Sequence, residues 1–72
     1  MPTKLVLQDN KGNYLVLKKL TENLGDEILN SFWVVDETSE FFPIDLANKL
    51  DNISIKDFVL YEEKIFTVVY VE

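Results

Sequence analysis

No cysteine, histidine or arginine occurs in the 72-residue chain. Without cysteine there is no disulfide to staple a small domain, and no thiolate for catalysis or for zinc and iron–sulfur ligation. Without histidine, no side chain titrates near neutrality unless a carboxylate or lysine is shifted far, so acid–base catalysis lacks a ready agent. Without arginine there is no bidentate grip on phosphate. The two glycines, Gly12 and Gly25, and two prolines, Pro2 and Pro43, are spread out, leaving no linker and no glycine-rich phosphate loop. No apolar run approaches the roughly 20 residues that span a bilayer. The start, Met1-Pro2-Thr3-Lys4, is unlike a signal peptide. A cytoplasmic protein with no membrane partner is expected.

What is there is 47% apolar and 28% charged, a globular composition. One domain, 1–72, is expected. A chain this short buries only about 60% of its unfolded surface, so its stability margin is thin. Residues 4–8 and 14–18 are apolar-rich runs separated by the turn formers Asp9-Asn10-Lys11-Gly12-Asn13, which predicts a β-hairpin. Leu20, Leu24, Ile28 and Phe32 recur every fourth position, which predicts a helix over 20–31 with Thr21 as its N-cap. Phe32–Val35 forms a β-type run, Asp36–Glu40 a polar turn, and Phe41-Phe42 an edge strand ended by Pro43. Asp45 caps a short helical turn through Leu46, Ala47 and Leu50. Residues 58–61 and 65–71 form the last strand pair. The second is apolar on both faces, as in a central covered strand.

The fold class predicted is α+β: β-hairpin, helix, mixed sheet, with a short extra helix and a closing strand. The order ββαββ, with Ile55-Lys56-Asp57-Phe58 before the final strand, resembles a β-grasp, ubiquitin-like domain. A chain ending at Val71-Glu72 without a glycine pair does not fit that family's conjugation role. The alternative architecture is a small, partly open β-barrel. The predicted core is Leu5, Leu7, Leu15, Leu17, Leu24, Ile28, Trp33, Val35, Phe58, Leu60, Phe66, Val68 and Val69.

Catalytic candidates are absent: Ser31, Ser39 and Ser54 have no histidine to activate them. Asp36, Glu37 and Glu40 offer hard oxygens but lack the glycine-centred loop of a calcium site, so no metal and no cofactor is expected. The seven lysines are scattered, which argues against direct nucleic-acid binding. The charge is lopsided. The net −6 arises because residues 20–48 carry seven acids and no base, while the rest of the chain is +1. Glu22, Asp26, Glu27, Asp36, Glu37 and Glu40, with Trp33, Phe41 and Phe42 beside them, form a predicted docking face for a basic protein.

The function expected is therefore a non-enzymatic acidic interaction module. In size and charge it resembles small phage inhibitors that mimic DNA to block a basic, nucleic-acid-binding protein. The alternative is a small structural subunit that pairs an exposed strand edge, at 65–71 or Phe41-Phe42, with its own copy or a partner; a monomer is expected on the first reading and a homodimer or other stable oligomer on the second.

Overall fold

Leu5 and Leu7, with Leu15 and Leu17, alternate with the partly buried Val6 and Val16 or with polar end residues and share one face of the first hairpin. The computed structural model describes residues 2–23, 25, 29–43, 46 and 49–72. It contains β1 (Lys4–Gln8), β2 (Tyr14–Asn23), β3 (Leu29–Val35), β4 (Phe58–Tyr61) and β5 (Lys64–Val71). They form one sheet in the order β3-β2-β1-β5-β4, with every neighbouring pair antiparallel. The sheet curls into a half-barrel. Asp9 shapes the β1–β2 turn: its carboxylate accepts the main-chain N–H groups of Lys11 and Asn13, each at 2.9 Å. Gly12 supplies the positive φ of 87° that the same turn requires.

The α+β expectation is overturned, and the β-grasp order with it. Strand accounts for 54% of the described residues and helix for 5%. Residues 17–23 pair with 29–35 as an antiparallel ladder, Leu20 opposite Phe32 and Thr21 opposite Ser31. Thr21 caps nothing; its hydroxyl lies 3.1 Å from that of Ser31 across the strands. The cause is a degenerate spacing. Four residues is close to one helical turn, but it is also an even number, so the same positions share one face of a strand. Gly25, with φ of 139°, lies in the connection, where it favours a turn over a helix interior. Leu24, Asp26, Glu27 and Ile28 fall outside the described residues. So do Asp45 and Ala47 of the short helical turn, of which Leu46, Lys49 and Leu50 have helical backbone.

The core occupies the concave face. Leu5, Leu7, Leu17, Trp33, Val35, Phe66 and Val68 are buried there as predicted. Leu15 packs against them partly buried. The segment between β3 and β4 crosses from one sheet edge to the other and adds Phe42, Leu46, Leu50 and Ile53. Three predicted core residues are corrected: Val69 is exposed, and Phe58 and Leu60 point outward, while Val59 is buried and Tyr61 partly buried. A one-residue change of phase moves a whole strand to the other face. Phe58-Val59-Leu60-Tyr61 is apolar at every position, so the sequence carries no alternation to fix that phase.

β5 is central in its pairing, between β1 and β4, but covered on one face only: Ile65, Val69 and Tyr70 are exposed. A bulge explains Val69. Leu7 pairs with Val68 and Val6 with Tyr70, so Val69 is the extra residue. Beyond it Val71 turns back toward the core, on the same side as Val68.

Candidate functional site

The outer face at the β4–β5 end carries an open apolar surface. Phe58, Leu60 and Ile65 are each 63% exposed. Leu60 stands opposite Ile65, and Phe58 opposite Thr67. With Lys49 these three line a groove of about 370 Å³. Together they leave on the order of 300 Å² of apolar surface open, comparable with the largest patch on a typical monomer, which is often functional.

Two of these residues, Phe58 and Leu60, lie on an edge strand. β4 ends the sheet order. Glu62 and Glu63 form a two-residue turn with φ of 51° and 63°, so Tyr61 and Lys64 exchange main-chain hydrogen bonds across it. Antiparallel pairing alternates, so Val59 also faces β5 while Phe58 and Leu60 turn their N–H and C=O groups away. Asp57 keeps this phase: its carbonyl accepts the Val68 N–H at 2.9 Å. Among the described residues, no strand pairs with the outer edge of β4. Sequence reasoning missed this surface because it placed Phe58 and Leu60 in the core. The Glu62-Glu63 turn sets Tyr61 opposite Lys64, but the apolar run beside it carries no signal for which face turns inward.

The edges proposed from sequence lie elsewhere. Residues 65–71 are flanked by strands on both sides. Phe41 forms a single bridge to Val34 on the β3 edge. Phe41 is 72% exposed and meets Phe32 edge-on, with ring centroids 5.1 Å apart. Trp33 and Phe42, at 1% and 4% exposure, are core residues and are closed to a partner.

The described acidic residues of the predicted face lie at two ends of the β2–β3 ladder. Glu22 pairs with Asn30 in the far part of the β2–β3 ladder. The Asp36 N–H bonds to Val16 at the other end. Six residues of strand separate Asn30 from Asp36, about 20 Å. That is twice the Debye length of about 10 Å at 0.1 M salt. Asp36 is further neutralised by Lys18 at 3.1 Å. Glu37 and Glu40 are exposed in the turn with it, while Asp26 and Glu27 lie outside the described residues. Among the described residues, no group of three or more acids is placed to hold a metal ion.

One polar cluster is half-buried. Asp51, on the crossing segment, accepts hydrogen bonds through one oxygen from Lys19 Nζ at 2.7 Å and from Trp33 Nε1 at 3.2 Å. The Lys19 ammonium also sits 5.9 Å from the centre of the Trp33 ring. The hydrogen bond from Lys19, with that from Trp33, holds the Asp51 carboxyl below the usual carboxylate range. This cluster clamps the crossing segment to β2 and β3. A second cavity, about 250 Å³, opens between the two hairpin turns and is lined in part by Asp9, Tyr14, Tyr61 and Lys64. The Asn13 N–H holds the Asp9 carboxyl low, and burial pushes the Tyr61 phenol up. Neither group is moved toward neutrality, where acid–base work would need it.

No protein-family model, no curated protein and no solved structure matches the chain. Among the described residues, no helix is long and apolar enough to cross a membrane.

Proposed function

We propose that this protein is a non-enzymatic interaction subunit that docks through the outer face and free edge of β4–β5, in a cytoplasmic setting. The observation that supports this most is a coincidence of two features on the same residues. Phe58 and Leu60 present both main-chain groups that no described strand pairs with and large exposed apolar side chains. Strand addition needs both, the first for affinity and the second for specificity. Edge strands are otherwise blunted by charge, proline or cover, and Phe58–Tyr61 contains no charge and no proline. The test is a paired comparison. Phe58→Lys/Ile65→Lys should keep the melting temperature within a few degrees, because both side chains are exposed. It should abolish association, read as solution mass and as partner capture. Unchanged association in a folded variant refutes the reading.

A second reading keeps the 36–40 turn as a docking face for a basic protein, on one observation: exposed Phe41 directly follows exposed Glu40, in a turn that also carries exposed Glu37. Aromatic and acidic groups side by side suit a partner that is basic with an apolar centre. Glu37→Gln/Glu40→Gln should then slow association at low salt and have no effect at 1 M salt.

A further inference from the structure

The occupant of the β4 edge follows from its sequence. We infer that this edge pairs with the β4 of a second copy, antiparallel, in the register that sets Phe58 opposite the second copy's Leu60. The inference deepens the proposed function and rests on it.

Elimination among the possible registers leaves one. An added antiparallel strand must offer its own free N–H and C=O groups, so only Phe58 and Leu60 of each copy can form the hydrogen-bonded pairs. Three two-fold registers satisfy this. Setting Phe58 against Phe58 brings Leu60 opposite the second copy's Lys56, a charge against an apolar side chain. Setting Leu60 against Leu60 brings Phe58 opposite the second copy's Glu62, which costs the glutamate solvation without a partner. The remaining register, Phe58 against Leu60, pairs aromatic with aliphatic twice, side by side on the outer face. It also brings Lys56 opposite the second copy's Glu62 at each end, just beyond the strand. Lys56 and Glu62 are both exposed, and both have left-handed backbone, at φ of 80° and 51°.

The edge is thus self-complementary: apolar meets apolar at the centre and opposite charges meet at both ends. Such an isologous contact is what a two-fold dimer requires. The product is a continuous ten-stranded sheet, with the four outward apolar side chains forming a single cluster across the seam. On the inner side Val59 faces its own copy. This contact joins two edges that would otherwise template uncontrolled pairing.

The experiment is sedimentation of the full chain across a concentration series at low salt, with four variants. Wild type should dimerise. Lys56→Glu and Glu62→Lys each turn two attractions into two repulsions, and each should weaken dimerisation on the order of tenfold. The double variant Lys56→Glu/Glu62→Lys restores opposite signs in the same register and should recover wild-type affinity. Leu60→Lys, at an exposed position, should give a folded monomer. A dimer lost in Leu60→Lys but indifferent to both charge reversals overturns the register while leaving the β4–β5 face as the docking surface. A dimer that survives Leu60→Lys overturns both the register and that reading. A chain that stays monomeric at all concentrations overturns self-pairing, and partner capture by the Phe58→Lys/Ile65→Lys pair then decides the reading beneath it.

Discussion

Replacing Asp51 by alanine removes the acceptor that Lys19 and Trp33 share, and its cost follows from how buried the three groups are. The side chains of Lys19 and Asp51 are 11% and 27% exposed. A solvent-exposed pair contributes about 0–1 kcal/mol, whereas breaking a fully buried one costs about 3–5 kcal/mol because the orphaned charge stays desolvated. This pair lies between, and the loss of the indole hydrogen bond adds to it, so Asp51→Ala should cost about 2 kcal/mol. In a domain of this size that lowers the melting temperature by roughly 10 °C. Asp51→Asn keeps an oxygen for Trp33 but loses the charge, so it should fall between alanine and wild type. The pH dependence has a definite sign. The folded carboxyl is held below its unfolded value, so its stabilisation is complete above the ordinary carboxylate range. It is lost as pH falls through the folded pKa. Thermal melts of wild type and both variants from pH 7 down to pH 2 test this, and the difference between them should shrink in acid. A variant as stable as wild type at pH 7, or a difference that persists unchanged at pH 2, would refute the clamp.

The remaining expectations rest on other parts of the fold. Glu63→Gly should raise the melting temperature by a few degrees, because φ of 63° is unfavourable for a residue with Cβ, by about 1–2 kcal/mol, and glycine's greater unfolded entropy offsets only part of that. Glu63→Ala keeps the Cβ and should give no such rise, which separates strain from charge in thermal melts. Val68→Ala empties space beside Leu7 in a fully buried layer and should cost about 2 kcal/mol in urea unfolding. Asp9→Asn should flatten the acid side of the stability profile, since the native turn favours the ionised form.

How far this fold was legible depended on whether a segment's pattern had one meaning. The first hairpin was legible because Asp9–Asn13 is dense in turn residues and the leucines on either side alternate. Residues 20–32 were not, because a spacing of four satisfies both periods, and the antiparallel pairing of residues 17–23 with 29–35 decided between them. Phe58–Tyr61 and Ile65–Val71 lack the alternation that sets a strand's inner face, and the bulge at Val69 reverses that face midway. The Lys19–Asp51–Trp33 clamp joins residues 32 and 18 positions apart, a contact no local pattern announces. The docking surface was hidden for the same reason. Which strand lies at the sheet's edge is a property of topology, and the crossing segment that carries β4 to the far side has no periodic signature. Charge runs were legible as composition, but their grouping into one face depended on a helix that the chain does not form.

Amide hydrogen exchange at Phe58 and Leu60 tests most directly whether the β4 edge is an interaction edge. Their N–H groups point away from β5, so in dilute protein they should exchange at rates near those of an open chain, while Val59 is protected. As the protein is concentrated, a second copy satisfies them, and their protection should rise together toward that of Val59. The account is contradicted if Phe58 and Leu60 exchange equally fast at every concentration and with every partner that the protein captures.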